Sequence, residues 1–173
     1  MNESALMIEV DAVEHLVGHW RRRYDPSSRQ GVPAHITVLY PFREPASIDR
    51  HEMAAVARLA ASVERHRFTL SAVEEFPGVV WLRPSPDEWF RELTRQLTDR
   101  FPECVPYAGA FPDPQPHLTI GQFTDADEQQ RVHLAFHAEI AAMLPRQCDA
   151  TMLSLFVSDS TGAWSLANRF PFR

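Results

Sequence analysis

The sequence predicts a mixed helix-and-strand fold of the α+β class, duplicated internally and arranged about a pseudo-two-fold axis. Three observations predict it. The stretch His35-Ile36-Thr37-Val38 returns as His117-Leu118-Thr119-Ile120. The inferred order helix, H-x-T strand, helix, strand, strand runs through twice with a period of 82 residues. The remaining strands come in pairs parted by turn residues, the punctuation of antiparallel hairpins. The chain is expected to form one domain, 1–173, with lobe-forming repeats at roughly 11–84 and 85–171.

Each element has its own warrant. Ala5 to Val10 alternates as a strand. Asp11 and Glu14 stand in capping-box positions, and Val13, Leu16, Val17 and Trp20 give a helical stripe ending near Arg23. Tyr24 to Pro33 is loop by composition, and Pro41 stops the first H-x-T strand. Ser47 or Asp49 caps a second helix reaching about His66, with Met53, Val56, Ala57, Ala60 and Val63 inward. Phe68–Phe76 and Val79–Arg83 form a hairpin around Pro77-Gly78.

The second round opens on Ser85-Pro86-Asp87-Glu88, which offers a Ser cap, Pro at the first helical position and Glu at N3. Trp89, Phe90, Leu93, Leu97 and Phe101 make that helix's apolar stripe. A proline-rich loop, Pro102 to Pro116, leads into the second H-x-T strand. A helix from Asp125 or Asp127 to Leu144 follows, with Val132, Phe136, Ile140 and Met143 inward. Cys148–Val157 and Ala163–Phe170 close the chain as strands. By the period, Phe68 corresponds to Ala150 and Trp81 nearly to Trp164.

Composition limits the function. A chain of 173 residues buries roughly 70% of its unfolded surface as one domain. All 17 basic residues are arginine, so a covalent lysyl intermediate is excluded. Net charge is −6, and no basic run exceeds Arg21-Arg22-Arg23. Extended polynucleotide binding relies on many cationic contacts. A small phosphate-bearing ligand or an RNA 3′-end fits better as partner. Cys104 and Cys148 are too few and too distant for a disulfide framework or a zinc site. No signal peptide or apolar run of about 20 residues occurs, so a cytoplasmic monomer with no membrane contact is expected.

The repeated motif carries the chemistry. About 0.4 H-x-T triplets are expected by chance at this composition, and here two occur in matching apolar settings, each with a phenylalanine downstream. Strand residues at i and i+2 share a face, which sets an imidazole beside a hydroxyl and sends the aliphatic neighbours to the core. A duplicated unit about a two-fold axis would bring the two faces together across a cleft. Two histidines flanking a substrate suit general acid–base catalysis near neutrality. Threonine hydroxyls can donate to the non-bridging oxygens of a phosphate. The nearest carboxylates, Glu44 and Asp113, have no metal-ligand spacing. Neither a Gly-rich phosphate loop nor a G-x-S-x-G elbow is present.

P-A-H-I-T-V-L-Y-P-F and Q-P-H-L-T-I-G-Q-F resemble the paired H-x-[ST]-hydrophobic motifs of the 2H phosphoesterase superfamily. That group includes the RNA 2′,3′-cyclic phosphodiesterases known as 2′-5′ RNA ligase-like proteins. The resemblance implies a bilobal α+β fold with two antiparallel-rich sheets and the motif strands lining a central cleft. It also implies catalysis by His35, Thr37, His117 and Thr119 with no metal or cofactor. The implied reaction opens a ribose cyclic phosphate or cleaves a related phosphodiester. A 2′-5′ RNA ligase-like activity and a non-catalytic nucleotide-binding module are the alternatives.

Further candidates lie nearby. Arg43 stands just beyond the first motif and could reach a phosphate. Tyr40, Trp81, Tyr107 and Phe111 could stack a nucleobase. The helical His15, His19, His51, His66, His133 and His137 read as surface or boundary residues.

Overall fold

The computed structural model describes residues 2–173, and Met1 lies outside them. Among the described residues eight strands form two four-stranded antiparallel sheets. The first sheet has the order β2 (His35–Leu39), β1 (Ser4–Glu9), β7 (Met152–Ser158), β8 (Trp164–Pro171). The second has β5 (Leu118–Gln122), β4 (Val79–Ser85), β3 (His66–Phe76), β6 (Arg146–Ala150). Helices α3 (Arg50–Ser62) and α4 (Glu88–Arg100) pack on the first sheet. Helices α1 (Glu14–Tyr24) and α5 (Ala126–Ile140) pack on the second, and the short α2 (Pro26–Arg29) follows α1. The α+β class and the two lobes agree with the sequence.

The composition of the lobes does not. The two sheet orders match position by position, with β2 opposite β5, β1 opposite β4 and β7 opposite β3. The repeated unit is therefore strand-helix-strand-helix-strand: β1-α1-β2-α3-β3, then β4-α4-β5-α5-β7, with β6 inserted between α5 and β7 and β8 following. The last strand of each unit crosses into the other unit's sheet, β3 against β4 and β7 against β1. The helices cross too, since α1 lies on β5 and α4 on β2. Repeats 11–84 and 85–171 thus do not form one lobe each; both lobes draw on both. A period read along the chain cannot register this, because strand partners are chosen by non-local pairing. For the same reason Trp81 and Trp164 are not equivalents: Trp81 is in β4 beside the motif strand, Trp164 in the edge strand β8.

The segment Cys148–Val157, expected as one strand, splits at Thr151 and passes from the second sheet to the first. There the Phe172 amide donates to the Thr151 carbonyl at 3.0 Å. Helix starts follow capping chemistry only in part. Asp49 and Glu52 form a full capping box, and Asp125 accepts from the Glu128 amide. Asp11 instead opens a 3-10 turn, while Glu14 accepts the Ala34 amide at 2.8 Å. Ser85 belongs to β4. His66, expected at a helix end, starts β3 and stacks on Trp89.

A large apolar core joins the sheets and helices, and Ala5, Met7, Val32 and Phe156 form a second, smaller cluster. The large core includes Ile36, Val38, Leu118 and Ile120, the aliphatic partners of the motif residues. Gly78 turns β3 into β4 with φ of +81°, which a side chain would strain. Among the described residues no helix is long and apolar enough to cross a membrane.

Candidate active site

The two motif strands present their polar residues to one cavity. Along β2, exposure alternates: His35 and Thr37 are partly accessible, Ile36 and Val38 buried. His117 stands just ahead of β5, where Leu118 and Ile120 are buried and Thr119 partly accessible. A cavity of about 540 Å³ is lined by His35, Thr37, His117 and Thr119, with Tyr40, Tyr107 and Gln122 at its margins. Tyr107, His117, Thr119 and Gln122 also line a second cavity of about 580 Å³, which runs on beneath Phe76, Pro77, Val79 and Phe111. All four motif residues and two of the three expected binding residues converge here.

Each histidine is fixed in the same way. The ring Nδ1 of His35 lies 2.8 Å from the Pro33 carbonyl, and that of His117 lies 2.7 Å from the Gln115 carbonyl. A carbonyl can only accept, so Nδ1 carries the proton in both and the neutral ring keeps its lone pair on Nε2. Burial, reinforced by the nearby Arg21 charge, pushes His35 down to about 4, against the Pro33 carbonyl. Burial also lowers His117, with the Gln115 carbonyl opposing. Two close imidazoles disfavour each other's charge as well. Both rings are therefore poised neutral and able to accept a proton.

Behind the motifs lie residues the sequence did not single out. Arg21 donates to the Asp25 carboxylate at 2.7 Å and 3.1 Å, to the Thr119 carbonyl at 3.1 Å and to the Val32 carbonyl at 3.3 Å. It therefore ties the second motif to the segment entering the first. On the other side, Arg91 donates to Asp113 at 2.6 Å and to the Gln115 side chain at 2.8 Å. Gln115 in turn donates to Asp87 at 2.8 Å. This network holds the residue whose carbonyl orients His117. A signal for Arg21 was available: Val13, Val17 and Arg21 share a helix stripe at i, i+4, i+8, and Asp25 follows four residues later. An arginine on an apolar stripe needs a buried partner.

The aromatic candidates separate. Trp81 is buried; it stacks on Phe76 with centroids 4.6 Å apart and meets His117 edge-on at 5.8 Å. It backs the histidine and does not line either cavity. Tyr40 donates to Glu3 at 2.9 Å, and burial together with that carboxylate raises its phenol to about 12. Burial raises Tyr107 as well, against the neighbouring Thr37 hydroxyl. Both stay protonated donors near neutrality. Tyr107 and Ala108 both have φ of +51°, and the Tyr107 amide donates to the Tyr40 carbonyl, which sets Tyr107 at the cavity edge.

Arg43 is the exception. It pairs with Glu52 at 2.8 Å and with Glu103, and it lines neither cavity. β2 ends at Leu39, and past the strand the chain turns its arginine toward α3. Among the described residues no three His, Cys, Asp or Glu side chains cluster to share a metal ion.

Known proteins share this architecture. The family model of the 2′-5′ RNA ligase superfamily matches residues 9–162. E. coli LigT, in a crystal structure with 3′-AMP, superposes with a TM-score of 0.62 at 16% identity, over 99% of this chain and 98% of that one. LigT with NADP+ gives 0.58 at 17% identity, over 99% and 97%. TT0787 of Thermus thermophilus gives 0.64 at 16% identity, over 99% and 98%. At such identities the likeness is one of fold. No curated protein matches the chain in sequence.

Proposed function

Because the chain belongs to the 2′-5′ RNA ligase superfamily, we propose that it is a metal-independent phosphoesterase hydrolysing a cyclic phosphodiester, a 2′,3′-cyclic nucleotide or RNA-terminal cyclic phosphate. One observation carries this reading: two histidines with the same tautomer, each tied through Nδ1 to the carbonyl two residues back, share one cavity. Two such imidazoles can serve as an acid–base pair for displacement at phosphorus. One Nε2 takes a proton from water as its oxygen bonds to phosphorus. The bond from phosphorus to one ribose oxygen breaks, and the other imidazolium protonates that oxygen. Thr37 and Thr119 donate to the non-bridging oxygens.

The proton-bearing partner comes with the substrate. Both free histidines are lowered, and an anionic phosphate between them favours the charged form of one ring. The 3′-AMP seen with LigT agrees with a nucleotide as ligand.

The test is turnover of 2′,3′-cyclic nucleotides with EDTA present, beside His35→Ala and His117→Ala. Hydrolysis lost by orders of magnitude in both variants is the expected result. Full activity in either variant, or a ligated product from a cyclic-phosphate end and a 5′-hydroxyl end, would overturn it.

A further inference from the structure

The charge of the cleft narrows the substrate, on the premise that the cleft is the phosphoesterase site proposed above. Among the described residues lining either cavity none is an arginine, and the sequence contains no lysine. The arginines near the motifs are already engaged: Arg21 by Asp25, Arg43 by Glu52 and Glu103, Arg91 by Asp87 and Asp113. The end of the cleft that His35 lines and the second cavity does not reach has the opposite sign, with Glu3 and Asp159 in its wall. Hydrogen bonds from Thr161 hold the Asp159 carboxyl below the usual range, so it is ionised near neutrality. On the His117 side the wall is mainly apolar, made by Phe76, Pro77, Val79 and a Phe111 that is 58% exposed, and its one carboxylate, Asp113, is paired with Arg91. One phosphate can be matched by an imidazolium and two threonine hydroxyls. A second would face carboxylates without a guanidinium to bind it.

We infer that the cleft selects a cyclic phosphodiester carrying a single negative charge. The substrate is a mononucleoside 2′,3′-cyclic phosphate whose base lies against Phe111 beside His117. Its unphosphorylated 5′-hydroxyl faces Glu3 and Asp159. A 5′-phosphorylated nucleotide, or an RNA end whose last nucleotide carries a 5′-phosphodiester, puts a second anion against these carboxylates.

The experiment compares kcat/KM for adenosine 2′,3′-cyclic phosphate with the same compound bearing a 5′-phosphate, at low and high salt. Two carboxylates in the same wall should impose roughly a tenfold preference for the first at low salt, shrinking as salt screens them. Glu3→Gln combined with Asp159→Asn should narrow that ratio, since both amides keep an acceptor oxygen for Tyr40 and Thr161. Affinities of adenosine 2′-phosphate and adenosine 2′,5′-bisphosphate read the same discrimination without turnover. This separates failure of the charge selection from failure of the catalytic reading. Equal kcat/KM and equal affinities, or a preference for the doubly phosphorylated compounds, overturn the inference. Selective binding of the monophosphate with no turnover of either ester would retire the hydrolase reading and leave the selection standing.

Discussion

The two copies of the motif are alike at the histidine and unlike in the segments that lead into it. Both rings hang from the carbonyl two residues back. The first copy is entered from a loop anchored inside the protein, where Arg21 and Asp25 are 1% and 0% exposed. The second is entered from Pro112, Pro114 and Pro116, whose fixed φ stiffens the strand approach, and is pinned from outside by an Arg91 that is 31% exposed. Duplication preserved the local geometry that the chemistry needs, while the two supports came to rest on different physics. The first entry is held by a buried ion pair; the second motif shares Arg21 only at the Thr119 carbonyl, and its entry is held by conformation and a solvated network.

The comparison breaks first at the histidines themselves. If both act in proton transfer, His35→Ala and His117→Ala should each lower kcat by about 10²–10⁴-fold, measured under saturating substrate. A loss confined to one of them would mean that the shared geometry hides unequal roles. Next come the anchors. Arg21→Met leaves Asp25 charged and unpaired in the interior, which should cost about 3–5 kcal/mol in urea unfolding. Adding Asp25→Leu should restore much of that, because removing both charges also removes the burial penalty. A cost below about 1 kcal/mol for Arg21→Met would show that the pair is not what holds the first motif.

How far the sequence reveals this contrast follows from the range of the interactions. His35, Thr37, His117 and Thr119 were legible because strand alternation is a local rule: whichever sheet a strand joins, residues two apart share a face. Asp49 and Asp125 were legible for the same reason, as caps reach only three residues. The exchange of β3 and β7 between sheets was not, because the hairpin over residues 66–85 reads identically whichever unit its two strands serve. Asp87 shows how a local rule gives way. It occupies a cap position, but its carboxylate is held by Arg91 and Gln115, the latter 28 residues away. Arg43 was placed by sequence proximity to the motif, and two carboxylates from distant segments take it elsewhere.

The histidines also predict a pH dependence that distinguishes the two sides. His35 is lowered to about 4 in the folded protein from an unfolded value near 6.5. Between these values the unfolded chain binds more protons, so stability rises with pH. It should fall by about 2 kcal/mol as pH drops from 7 to 4, the full linkage being discounted for the solvent that reaches the ring. His117 adds to the same slope. His35→Gln should flatten it more than His117→Gln, because Arg21 burdens only the first ring. Equal flattening in urea titrations would dissociate Arg21 from the difference. In kinetics, kcat/KM should trace a bell centred on the acid side of pH 6.5, and a centre above 7 would contradict the lowered values.

The smallest effect is expected at the outer anchor. Arg91→Ala releases Asp113 and Gln115, but the bonds it removes are partly solvated, so stability should fall by only about 1 kcal/mol. Activity should respond more than stability does. With Gln115 loosened, its carbonyl holds the Nδ1 proton of His117 less firmly, and kcat should drop several-fold with little change in KM. The limb of the pH–rate profile that belongs to His117 should move with it, as a merely structural role would not require. Arg91→Lys should recover charge but not the fork that spans Asp113 and Gln115, and so should rescue only in part. If kcat and profile both stay at wild-type values in Arg91→Ala, the prolines and the Arg21 bond to the Thr119 carbonyl suffice to hold the second motif. The entries to the two copies would then differ still more deeply, the first held by a buried ion pair and the second by the covalent stiffness of its own chain.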